Sequence, residues 1–167
     1  MKRLELIAAA LLLLAVLVGS ADAQKRPVRK TPAKTSTVVA PLDVRAARQK
    51  VDNQLANVDL FIDKLGPIAL NIETLDRSAQ MRRFPENEAN KQKVIGAIRN
   101  LRAGLSALES EFRTKPALQK YLPSIQGITD LAAESEDSAL AGRFVAAKEP
   151  LRAVSAKLTD TLTVLPR

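Results

Sequence analysis

From residue 44 onward, apolar residues recur at steps of three and four, the spacing of one face of an α-helix. Asp43 stands as the N-cap of a first predicted helix over 43–65, whose apolar set is Val44, Ala47, Val51, Leu55, Val58, Ile62 and Leu65. These residues share one stripe less than about a quarter of the circumference wide, the pattern of a face packed on other helices. Gly66-Pro67 then punctuates the chain. Proline is tolerated in a first turn, so a second helix can start at Pro67 with Ile68, Ile72, Leu75 and Ala79 inward, ending before Pro85. The apolar phase nearly survives the break, which leaves one kinked helix over 43–83 as the alternative.

The clearest helix runs from Glu86 to about Arg113, with Val94, Ile98, Leu101, Leu105, Leu108 and Phe112 at alternating steps of four and three, a heptad seam. Glu86 and Glu88 in its first turn, and Arg113 and Lys115 near its end, suit the helix dipole. A fourth helix is predicted from Pro116 to about Glu134 with Leu118, Leu122, Ile125 and Ala132 inward, kinked or broken near Pro123. The last helix starts near Ser135-Glu136-Asp137-Ser138. It carries Leu140, Phe144, Ala147, Leu151, Val154, Leu158, Leu162 and Leu165 within about 80° of one another, with Pro150 as a kink inside it. Helical segments joined by short turns imply antiparallel neighbours. The predicted fold class is therefore all-α, an up-and-down antiparallel helical bundle of four helices, the first either kinked or split at Gly66-Pro67.

The chain ahead of this pattern reads differently. Met1-Lys2-Arg3, an unbroken apolar run from Leu6 to Val18 and Ala21-Asp22-Ala23 together read as a signal peptide over 1–23, cleaved before Gln24. The apolar run is short of the ~20 residues needed to span a bilayer core, so cleavage is preferred over a retained anchor. The expected location is periplasmic or extracellular, soluble after cleavage. The sequence contains no cysteine, which removes disulfides, thiolate metal sites and thiol nucleophiles and leaves stability to the core. With no Trp, one Tyr and four Phe, that core must be aliphatic, which suits helices better than a sheet.

Charge separates the leader from the bundle. Residues 24–42 carry Lys25, Arg26, Arg29, Lys30 and Lys34 with no acid, while residues 43–167 hold nineteen Lys/Arg against sixteen Asp/Glu. With three prolines and almost no core-forming residues, this basic leader over 24–42 is predicted to be disordered to about residue 41, followed by one bundle domain over 43–167.

Candidate chemistry is sparse. There is no histidine, and the usual general base at neutral pH and most zinc, haem and di-iron sites use imidazole. The inward stripes hold no carboxylate, so no cofactor, haem or metal is expected. Asp52, Asp59 and Asp63 line one flank of the first helix, where a weak cation site competes with a solvated face on which Arg45 and Arg48 pair with Asp52. Glu134, Glu136 and Asp137 fall at a predicted helix boundary and read as capping residues. Lys91, Arg99 and Arg102, interleaved with Glu88 and Glu109, read as a solvated face. Met81-Arg82-Arg83-Phe84-Pro85 is a candidate partner contact, since Arg and Phe favour interface centres; a staple under the bundle end is the competing reading of Phe84.

The layout resembles, in architecture alone, other small exported helical bundles such as cytochrome b562-like proteins or lumenal extrinsic photosystem proteins. No motif carries that likeness, and the absence of histidine excludes the haem ligation of the former. The expectation is a non-enzymatic interaction protein of the cell envelope. Its candidate binding residues are Lys25, Arg26, Arg29, Lys30, Lys34, Arg82, Arg83 and Phe84, and its partner is a protein or an anionic envelope component. Polyanion or nucleic-acid binding is the alternative, ahead of an enzyme that uses carboxylates only. Export and the scarcity of aromatics for base stacking weigh against nucleic acid.

Overall fold

The computed structural model describes residues 40–77 and 84–167. The expected signal peptide and the leader as far as residue 39 lie outside the described residues. The described residues form six helical segments: α1 (Leu42–Arg77), α2 (Phe84–Thr114), α3 (Pro116–Gln119), α4 (Leu122–Ile125), α5 (Ile128–Leu140) and α6 (Lys148–Val164). The described residues contain no strand.

α1 is one continuous helix through Pro67, so Gly66-Pro67 is not a boundary. Proline removes the hydrogen bond to the Asp63 carbonyl, but Pro67 is exposed and water can take that carbonyl. The apolar stripe continues on both sides, with Val58 and Leu65 buried before the proline and Ala69 and Ile72 after it. Tertiary packing thus holds the helix across a residue that would break it in isolation. The first turn also begins earlier than expected. The Pro41 carbonyl accepts from Val44 N–H at 2.9 Å and Arg45 N–H at 3.1 Å, while Asp43 lies inside the first turn. Ala40 is buried in the core, so the bundle starts before residue 43.

The remaining boundaries are set by glycine and proline. The predicted fourth helix is three pieces: α3 and α4 each have proline in the first turn, and Gly127, at φ +90°, precedes α5. Ser135 to Ser138 lie within α5 and do not begin the last helix. α5 ends in a Schellman motif. Gly142 takes φ +75°, Arg143 N–H donates to the Ser138 carbonyl at 2.9 Å, and Gly142 N–H donates to that of Ala139 at 3.0 Å. α6 restarts at Lys148, which puts Pro150 in its first turn, where the missing N–H costs nothing. Pro150 is therefore not a kink, and Leu140, placed inward by the sequence, is 54% exposed.

The four longer helices close a ring in which α1 packs on α2 and α6, and α5 packs on α2 and α6. Arg48 reaches Leu165 and Glu73 reaches Val145, so α1 and α6 run in opposite directions. Lys50–Glu111 and Lys91–Asp76 show that α1 and α2 also run antiparallel. The aliphatic core forms two clusters. One, around Val51, Leu105, Phe112, Leu118, Ile125 and Leu158, lies where α1 begins; the other, around Leu65, Ile72, Ile98, Phe144 and Leu151, lies toward the α5–α6 turn. Ile62 and Leu101 pack against both.

Candidate functional site

Both core clusters are apolar, as the inward stripes imply, but two carboxylates beside them are nearly inaccessible to solvent. Glu109, on α2, is 5% exposed. It lies four residues after Leu105 and so near the inner stripe, a position that the heptad pattern could have flagged. Its carboxylate accepts from Gly127 N–H at 3.2 Å, Thr129 N–H at 3.1 Å and the Thr129 hydroxyl at 2.8 Å. Arg113 adds a contact at 2.9 Å. Gly127 has no side chain to cap α5, so Glu109 caps it from a neighbouring helix. Burial pushes the Glu109 carboxyl up. The Thr129 hydroxyl, the two backbone N–H groups and the Arg113 guanidinium outweigh burial and hold it below the usual carboxylate range.

Glu136, on α5, is 7% exposed and accepts from both Arg99 and Arg102 of α2. The hydrogen bond from Arg99 lowers its pKa first, burial opposes this, and Arg102 lowers it further. Arg99 and Arg102 thus clasp two helices together and are not merely a solvated face. Glu111, on α2, accepts from Lys50 of α1 at 2.7 Å and from Lys115. Burial raises its pKa, and those two ammonium groups bring it below the ordinary value. Arg48 does not pair with Asp52; its Nη1 donates to the Leu162 and Leu165 carbonyls at 2.6 Å each, closing the C-terminal turn of α6.

At the other end, Asn87 is buried. Its Nδ2 donates to Asp76 at 2.8 Å and to the Ile72 carbonyl at 3.3 Å, while its Oδ1 has no partner. Ser135 Oγ donates to the Ala147 carbonyl at 2.7 Å, tying α5 to the start of α6. Asp59 and Asp63 border a shallow open cleft with Ile62, Arg152 and Ser155, in which Ser155 donates to Asp59 at 2.6 Å. Among the described residues no group of three or more metal-ligating side chains comes together, and no helix is long and apolar enough to cross a membrane.

Lys25, Arg26, Arg29, Lys30, Lys34, Arg82 and Arg83 lie outside the described residues. Phe84 begins α2, and its side chain lies outside the description as well. The sequence offered Glu136 as a cap and Glu109, Arg99 and Arg102 as parts of a solvated face, and it did not pair Glu109 with Thr129 or Glu136 with the two arginines. Both carboxylates bridge α2 and α5, Glu109 through Gly127 and Thr129 and Glu136 through Arg99 and Arg102.

This has a pH signature. A carboxylate whose folded pKa lies below its unfolded value, about 4.3 for Glu, contributes fully above that value and loses its contribution as pH falls through the folded pKa. The thermal midpoint should therefore stay level from neutrality to about pH 5 and decline below about pH 4. Midpoints measured by circular dichroism across that range check this, and a midpoint unchanged down to strongly acidic pH would contradict it.

Comparison with protein-family models, curated proteins and solved structures finds no match to this chain.

Proposed function

We propose that this chain is an exported, non-enzymatic interaction protein of the cell envelope. It is cleaved before Gln24, released into the periplasmic or extracellular space, and tethered to anionic surfaces by its basic leader. Its scaffold is an up-and-down antiparallel bundle built on α1, α2, α5 and α6. The observation that carries the reading is the partition of charge: five Lys/Arg without an acid over 24–42, against nineteen and sixteen over 43–167. An acid-free basic stretch attracts polyanions through counterion exchange, independent of shape. The two least accessible acids of the bundle support the reading from the other side, since Glu109 and Glu136 are engaged by groups of a neighbouring helix. The same charges also favour a second reading, a polyanion or nucleic-acid binder.

Sedimentation with anionic vesicles or acidic wall polymer tests the tether. The chain from Gln24 should bind at low salt and lose most of that binding above about 0.15 M, where the screening length is about 8 Å. Because Ala40 belongs to the core, the informative deletion ends at Val39; it should abolish binding and leave helicity unchanged. Equal binding by the truncated chain would move the contact to Arg82, Arg83 and Phe84. Binding by neither form would refute the tether and leave a protein partner recognised by a bundle face.

A further inference from the structure

The solvent faces of the neighbouring helices α2 and α5 carry opposite charge. From Ala89 to Thr114 the exposed residues of α2 are neutral or cationic, with Lys93, Arg99, Arg102 and Arg113 as the cations. Glu109 and Glu111, the acids of that stretch, are largely covered and already engaged. α5 contains no Lys or Arg, and its Asp130, Glu134 and Asp137 are exposed. These three enter no ion pair among the described residues, and Lys157 of α6 pairs with none of them. Arg99 gives only its Nε to Glu136, and Arg102 only Nη1, so both guanidinium groups, about half exposed, keep N–H donors without a protein partner. Between the charges stand the small residues Ala103 and Ser106 on α2 and Ala133 on α5. Leu140, one turn beyond Asp137, is 54% exposed.

We infer that the α2–α5 face binds a second copy of this chain about a two-fold axis parallel to the bundle. Within one chain the two helices run antiparallel, with Arg99 and Arg102 level with Glu136, and Glu109 level with Thr129. A two-fold along the bundle therefore lays α2 of one copy on α5 of the other at those same levels, twice over. Arg99 and Arg102 come level with Glu134 and Asp137 of the other copy, and Ala103 with its Ala133. Gly96, with open space where a side chain would stand, comes level with its Leu140. Lys93 and Arg143 come level at the margin, where solvent screens them. The alternative two-fold, at right angles to the bundle, sets α2 on α2 and α5 on α5, cation on cation and acid on acid, and is disfavoured. A polyanion would suit α2 and be repelled by α5, and a basic peptide the reverse. A second copy supplies both signs in register. The face is two helices wide and, from the 13 residues of α5, about 20 Å long, the low end for a specific interface, so the dimer is weak and salt-sensitive. The inference is independent of the tether.

Both core clusters lie between Ala40 and Leu165, and the chain from Gln24 keeps them whole. Sedimentation of that chain at low salt should show a monomer–dimer equilibrium in the micromolar range. It should shift to monomer at about 1 M salt, where the screening length is about 3 Å. Glu134→Lys with Asp137→Lys should weaken association by about tenfold or more. Asp52→Lys with Asp160→Lys, the same change in charge on α1 and α6, should weaken it less than about threefold, both pairs retaining the helical spectrum. The sequence contains no cysteine, so single-cysteine chains report one contact each. Oxidation of a mixture of Ala103→Cys and Ala133→Cys chains should yield chiefly the mixed dimer. Crosslinking of Ala103→Cys to itself, or a loss of association in the 134/137 pair without any mixed crosslink, overturns the pairing of α2 on α5. A chain that stays monomeric at low salt up to its solubility limit, or equal weakening by the two charge pairs, overturns this face as a self-association surface.

Discussion

Leu151→Asp should leave the bundle without a cooperative unfolding transition at physiological temperature. Leu151 lies in α6, fully buried among Leu65, Ile72, Ile98 and Phe144. Removing its side chain from an apolar site forfeits about 2–5 kcal/mol of transfer and cavity energy. The new carboxylate must then lose its charge or remain unpaired, at several kcal/mol more. Together these approach the whole stability of a domain this size, about 5–15 kcal/mol. Leu101→Asp is the useful contrast, because Leu101 touches both clusters but is only partly buried, and its aspartate can turn toward water. It should lower the thermal midpoint without abolishing the transition. A Leu151→Asp protein that melts like the parent would show that the inner face of α6 has been misassigned.

The periodicity carried much of the fold, and its failures have physical causes. The second long helix was expected over 86–113 and spans Phe84–Thr114, because a heptad seam bounded by Pro85 and Pro116 leaves little freedom. Gly66-Pro67 left two readings open because local propensity was weighed without the core that spans the pair, and the single helix is the one observed. The α5–α6 boundary was missed for the opposite reason. The spacing of Leu140, Phe144, Ala147 and Leu151 stays in phase across a turn, yet Gly142 and Pro150 stand where a helix end and a new first turn need them. Glycine just past one helix and proline just inside the next was the available signal. Glu136 was read as a cap because the helix containing it was cut at Ser135. Once α5 runs from Ile128, Glu136 falls one turn beyond buried Ala132 and faces α2. Nothing local announces that Glu109 caps a helix starting nineteen residues later, since that bond exists only after α2 and α5 have packed.

Glu109→Ala is expected to cost about 2–4 kcal/mol, the second-largest single effect, for a reason that separates it from an ordinary surface ion pair. The carboxylate is nearly inaccessible and accepts three donors at the head of α5: Gly127 N–H, Thr129 N–H and the Thr129 hydroxyl. Alanine leaves those donors without a partner, at about 1–3 kcal/mol for each one that water cannot reach. The Arg113 guanidinium it also releases is 59% exposed and is rehydrated at little cost. Arg113→Ala should therefore change stability by less than about 1 kcal/mol, and Thr129→Val, which removes only the hydroxyl, should fall between the two. Glu109→Gln keeps an acceptor but points an amide N–H₂ at some of the same donors, so it should recover only part of the loss. It should also reduce the decline in midpoint at acidic pH, because one of the carboxylates with a lowered pKa is gone. Hydrogen exchange adds a local readout: in Glu109→Ala the first-turn amides of α5 should exchange faster than those at the centre of α2, as expected if that turn opens without global unfolding. Equal costs for Glu109→Ala and Arg113→Ala would mean that the carboxylate serves the exposed ion pair, and that α5 is held by packing without its cap.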